Sequence, residues 1–140
     1  MNLSELGPEA VDKIFYSANF VRELDIRLVG VGEGWCETRL EVQDRFRQQH
    51  GLVHGGVIAT LADHTAGGAA RSVSGAGDVL TLEFKINFLR AASGNSLRCR
   101  AMVLRAGRNS IVTEASVFMV GEKEELVAKL METLAVIQPR

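Results

Sequence analysis

The chain has 140 residues, 46% of them hydrophobic, which suits one globular domain with a substantial core and leaves too little chain for two domains around a cleft. Sixteen basic side chains against seventeen acidic ones give a formal net charge of -1, so there is no global field to recruit nucleic acid or an anionic membrane. Cys36 and Cys99 form no CxxC pair, which argues against a zinc site or a disulfide framework and favours two small buried thiols in a reducing compartment.

At the N-terminus Glu5, Glu9, Asp12 and Lys13 are mixed with apolar residues, without a basic stretch leading an apolar run, so no signal peptide is expected. No apolar stretch reaches the length of a membrane span, and the expected location is cytoplasmic. Pro8 fits the first turn of a helix with Val11, Ile14, Phe15 and Ala18 as its stripe, and residues 1–19 are expected to form one N-terminal helix. Leu24, Ile26 and Leu28 then alternate with Asp25 and Arg27. Gly30, Gly32 and Gly34 break that run as a turn before Cys36, Thr38, Leu40 and Val42 resume a period of two, which predicts a hairpin.

Residues 44–53 are polar and aperiodic, a connecting loop of the length that often carries function. A central helix is expected over residues 54–73, with Val57, Ile58, Leu61, Ala62, Thr65, Ala66 and Ala69 on its apolar side. Gly56, Ala59, Asp63, Gly67 and Ala70 line the other side, a strip small enough for something to approach closely. Next, Leu80, Leu82, Phe84, Ile86 and Phe88 alternate with Thr81, Glu83, Lys85 and Asn87, predicting a half-buried strand with Thr81 on its polar face. Three more strands are expected over Leu97–Leu104, Ile111–Val120 and Glu125–Ile137. Glycine-containing turns would join all four into an antiparallel meander. The whole is a single α+β domain over residues 1–140, with the helix lying across a curved sheet.

The segment Gln48-Gln49-His50-Gly51-Leu52-Val53-His54-Gly55-Gly56 leads straight into the helix. First-turn amides of a helix lack internal partners and sit at its positive end, so two glycines there would admit an acyl oxygen or a phosphate, as in an oxyanion hole. A tight turn against a neighbouring strand is the other explanation of the same glycines. Asp63, on the small-residue strip of an otherwise apolar helix, is solvated, paired or functional. It lies eight residues beyond Gly55, about 12 Å along the axis, too far for one carbonyl to touch both. If both act on one carbonyl, a second subunit must supply one of them, which predicts a dimer with two shared sites. His50, His54 and His64 do not share a helix face with Asp63 as a metal site requires, so no metal is expected. Gly30-Val31-Gly32-Glu33-Gly34 precedes no helix and is not a dinucleotide loop, and Ser110 has neither a nucleophile elbow nor a downstream histidine.

His54-Gly55-Gly56 followed by Leu61-Ala62-Asp63, in a helix between a hairpin and a run of strands, resembles the PaaI-like hotdog-fold acyl-CoA thioesterases over about residues 20–138. The resemblance implies a hotdog fold and hydrolysis of acyl-CoA thioesters, aryl or medium-chain, to free acid and CoA. Asp63 would act as nucleophile or general base, the Gly55 amide would polarise the carbonyl, and Gln48 or its neighbour Gln49 would position water or carbonyl. His54 and Gly56 adjoin that site, and Thr81 would stand near the carboxylate. Arg90, Arg105 and Arg108, which flank strand ends, are the candidates for coenzyme A. No cofactor is implied beyond the coenzyme A of the substrate, and dimers paired into tetramers are expected. Two alternatives stay open. A non-catalytic acyl-CoA binding module would bind without turnover, and a hotdog acyl-thioester dehydratase or hydratase would want a paired histidine and acid.

Overall fold

The structure, a computed structural model, describes residues 6–139. The N-terminal segment is divided into two short helices, where the sequence pattern suggested one. Helix α1 (Gly7–Ile14) has Pro8 in its first turn, a 3-10 turn follows at Phe15–Ser17, and α2 (Asn19–Leu24) ends at Asp25 in the left-handed conformation, φ 54°. Residues 1–5 of the expected N-terminal helix lie outside the described residues. Leu24, read as the start of a strand, closes α2 instead, because helical spacing lets Val21 and Leu24 bury together.

Strands β1 (Arg27–Gly32) and β2 (Trp35–Glu41) form the expected hairpin. Only Gly34 serves the turn, at φ 81°. Gly30 and Gly32 stay within β1 because a Cβ at either would strike the Trp35 ring. Helix α3 runs from Gly55 to Arg71, slightly shorter than expected. It buries Ile58, Leu61, Ala62, Thr65, Ala66 and Ala69, the apolar stripe read from the sequence, with Val57 packed partly buried at its edge. Strands β3 (Asp78–Phe88), β4 (Ser96–Ala106), β5 (Ser110–Met119) and β6 (Glu125–Ile137) complete an antiparallel sheet in the order β1-β2-β4-β5-β6-β3.

That order corrects the expected four-strand meander. Strands β4, β5 and β6 are consecutive neighbours, but β3 pairs with β6 at the far edge. The chain from Leu89 to Asn95 is a crossing, not a hairpin turn, and Ala92 is buried on its way, accepting a hydrogen bond from the Val53 N–H. Strand β3 runs alongside α3, with the Phe88 ring against Gly55 and Thr81 against Asp63. A helix aligned with the strands covers only two or three of them on a flat sheet, yet α3 touches all six. The sheet therefore curls around it. At the contact Gly68 lies so close to Cys36 that a Cβ would sit 2.8 Å from its Sγ. Burial pushes both thiols, Cys36 and Cys99, up to about 12, so they serve as packing atoms.

Candidate active site

Two groups of side chains stand at different heights along α3. The first surrounds the helix N-terminus. An isolated bridge between Arg47 and Val53 closes the preceding loop, and Gly51 turns it at φ 80°. Inside it the Gln48 side-chain oxygen accepts from the backbone N–H groups of His50 and Leu52, which fixes the side chain. Gln49 is exposed, so Gln48 is the glutamine held at this junction. His54 is the helix N-cap, and its Nδ1 accepts the Gly56 N–H at 2.8 Å. That bond defines a neutral ring protonated at Nε2. The amides of Val57 and Ile58 reach the His54 carbonyl. The Gly55 N–H, first in the helix, is left without an acceptor among the described residues, at the positive end of the helix dipole. Its bareness is enforced, since a Cβ there would come within 3.2 Å of the Phe88 ring.

The second group lies two turns further on. Asp63 is half-buried, and its Oδ1 accepts a hydrogen bond of 2.7 Å from Thr81 Oγ1. Thr81 was expected on the polar face of β3. A bulge between Thr81 and Glu83 shifts the register, so that Thr81 pairs with Leu134 while Phe84, Ile86 and Phe88 pair with Glu132, Leu130 and Ala128. All four then face the helix, and Leu80 is turned to the other side. Asp63 and Thr81 line a cavity of about 410 Å³ whose apolar wall includes Val11, Ile14, Phe15 and Leu134.

Glu132 is the residue that sequence patterning missed. It is 1% exposed on the helix side of β6, and its carboxyl adjoins Asp63. Burial, then hydrogen bonding to Asp63, then the negative charges of Asp63 and Glu83 push its carboxyl up to about 10. The signal was its place in an inward series with Ala128, Leu130 and Leu134, where an apolar residue belongs. His64 lines the same cavity, with its ring engaged by the N-terminal segment. Its Nε2 pairs with the Phe15 carbonyl at 3.2 Å and its ring tilts against Phe15, fastening the N-terminal segment to α3. Burial holds its pKa below the ordinary value. Among the described residues no group of three or more His, Cys, Asp and Glu could hold a metal. Nor is any helix there long and apolar enough to cross a membrane.

The three arginines do not converge. Arg90, two residues beyond Phe88, lies at the helix N-terminal end of the sheet in an exposed ion pair with Glu125. Arg105 and Arg108 are exposed at the β4–β5 turn, at the opposite end.

One helix held in a curled antiparallel sheet, with an unmade amide at its N-terminus and a carboxylate on the wall of an apolar cavity, defines a hotdog-fold hydrolase. Residues 50–125 match the model of the Thioesterase superfamily, and the chain belongs to that family and is a thioester hydrolase. A 1,4-dihydroxy-2-naphthoyl-CoA hydrolase of Listeria monocytogenes is 31% identical over 118 residues, 84% of this chain and 94% of the relative. The crystal structure of a thioesterase family protein from Silicibacter pomeroyi superposes with a TM-score of 0.90 at 30% identity, covering 92% of this chain and 96% of that one. The PaaI protein of the Escherichia coli phenylacetic acid degradation operon shares the fold, with a TM-score of 0.81 at 22% identity over 90% of this chain and 89% of that one.

Proposed function

We propose that the chain hydrolyses acyl-CoA thioesters, with an aryl or medium-chain acyl group, in sites shared between the two subunits of a cytoplasmic homodimer. Asp63 is the reacting carboxylate, as nucleophile or as base to water, and the Gly55 N–H of the partner polarises the carbonyl. The reading is carried by one observation: the Thr81-anchored Asp63 and the unaccepted Gly55 N–H lie about 12 Å apart along the same helix, both beside the free edge strand β3.

That edge supports the dimer. On β3 Leu80 is 61% exposed, Leu82 63% and Phe88 53%, an apolar strand with unmade backbone hydrogen bonds of the sort that adds a second strand. Antiparallel pairing of β3 with its own copy about a two-fold near Phe84 and Lys85 sets the partner's Phe88 beside Thr81. The partner's Gly55, under that ring, then arrives at Asp63. Gln48 and the Nε2–H of His54 flank the carbonyl from the loop. With Asp63 as base, a water gives it a proton as the water oxygen bonds to the carbonyl carbon, negative charge collects on the carbonyl oxygen facing the amide, and the C–S bond breaks as that proton passes to the sulfur. Arg90 is the cation best placed for coenzyme A phosphates, because its ion pair with Glu125, at 3.7 Å and exposed, yields readily to a phosphate. No cofactor is required, and pairing of dimers into a tetramer is part of the proposal. The name of the Listeria relative supports an aryl substrate.

Thiol release from a panel of aryl and fatty acyl-CoA thioesters tests this. Asp63→Asn keeps the shape and removes the charge, and it is expected to lower kcat by about 10²- to 10⁴-fold with binding retained, as is Asp63→Ala. Binding without turnover by the native chain would instead mark an acyl-CoA binding module.

A further inference from the structure

Glu132 is placed where a leucine would be cheaper. It sits between Leu130 and Leu134 on the inward face of β6, opposite Phe84 of β3 and Thr113 of β5, and is 1% exposed. Among the described residues no protein donor reaches either of its carboxyl oxygens. The charged groups that act on it are Asp63 from α3 and Glu83 from β3, both negative, while β5 offers the uncharged Thr113. An ionised carboxylate in this place would be buried with neither a donor nor a cation among the described residues. As a neutral acid it has one use, because its O–H is then the donor that the adjoining Asp63 carboxylate accepts.

We propose that Glu132 is a positioning residue for Asp63, a carboxylic acid kept protonated inside the sheet that donates its O–H to the Asp63 carboxylate. The proposal rests on Asp63 being the reacting group. Thr81 from β3 and Glu132 from β6 hold the carboxylate by two donors from two strands, so its orientation toward the cavity is set before substrate arrives. The Glu132 proton is lost only in alkali, because ionising this carboxyl beside Asp63 would set two negative charges side by side in a buried place.

The sign follows for activity. Hydrolysis is expected to fall as pH rises through the Glu132 titration near 10, where the donor becomes a repelling carboxylate. Glu132→Gln keeps a donor and removes that titration. It is expected to stay within about threefold of the native kcat and to flatten the alkaline limb of the pH profile, whereas Glu132→Leu should lose about 10- to 100-fold in kcat with KM little changed. The leucine variant should also melt at a higher temperature, so its loss of activity would not be a loss of fold. Infrared spectroscopy gives a readout independent of turnover. A protonated carboxyl C=O band at neutral pH should disappear in Glu132→Gln and shift in Asp63→Asn. Native kcat in Glu132→Leu, or no such band in the native chain, would overturn the proposal. Should Glu132→Leu fail to fold, the pH profile of Glu132→Gln and the band decide. If the native chain turned over no thioester, the catalytic reading of Asp63 would fail, while the band would still report whether Glu132 is protonated.

Discussion

At the scale of single residues, the Thr81 hydroxyl has one visible task, a 2.7 Å hydrogen bond to Asp63. Thr81→Val keeps the shape and the strand preference and removes the donor. A hydrogen bond to a charged group is worth about 1.5–3 kcal/mol, so kcat should fall by about 10- to 100-fold, and Thr81→Ser should recover most of it. Equal rates in the valine and native proteins would show that Thr81 does not hold a carboxylate on which the rate depends. Asp63 was legible in the sequence because an acid on a strip of glycine and alanine stands out on a helical projection. Thr81 was legible in identity and misplaced in face, since one bulged residue reverses the side of everything before it. Glu132 was not legible. In a strand of mixed polarity a lone glutamate reads as part of the wet face until the pairing shows which face is dry.

At the scale of elements, two adjacent glycines of α3 face different surroundings. Gly67 has nothing within 4 Å of the position a Cβ would occupy, whereas Gly68 would thrust one to 2.8 Å from Cys36 Sγ. Neighbouring substitutions should therefore differ in sign. Gly67→Ala is expected to stabilise the helix by up to about 1 kcal/mol through propensity alone. In Gly68→Ala the same gain is overtaken by overpacking of about 1–3 kcal/mol, and Cys36→Ala should relieve the cost in the double variant. Urea unfolding of the four proteins measures this. A stabilised Gly68→Ala would mean that the sheet yields to the helix more easily than its packing indicates. The existence of α3 and of all six strands was readable from periodicity, because amphipathic patterns at 3.6 and 2 residues register burial directly. The order of the strands was not. A short glycine-containing connection after β3 looks like a hairpin whether the next strand is a neighbour or lies across the sheet, and here Ala92 carries the chain inward.

At the scale of the whole molecule, the proposed site, with Asp63 and Gly55 well apart along one helix, would make activity a property of the pair of chains. Asp63→Asn removes the carboxylate from one half of each site. Gly55→Pro removes the N–H from the other half at the first helical position, where the backbone suits proline and the half-exposed Phe88 ring has to swing aside from the added Cβ. Each variant alone should be inactive. In a mixture unfolded and refolded together, half of the dimers combine one chain of each kind. In such a dimer the intact Asp63 faces the intact Gly55 at one site, while the other site carries both defects. About a quarter of the native activity should return, from half of the dimers with one of two sites intact. A site built from Asp63 and Gly55 of the same chain predicts none, because every chain in the mixture carries one defect. The free edge of β3 supplies the control: a charge at Leu82, which is 63% exposed, should split the dimer and abolish activity together. Recovery in the mixture and its loss on splitting the dimer would place the two halves of the chemistry on opposite subunits. Activity in a Leu82→Lys monomer would return them to one.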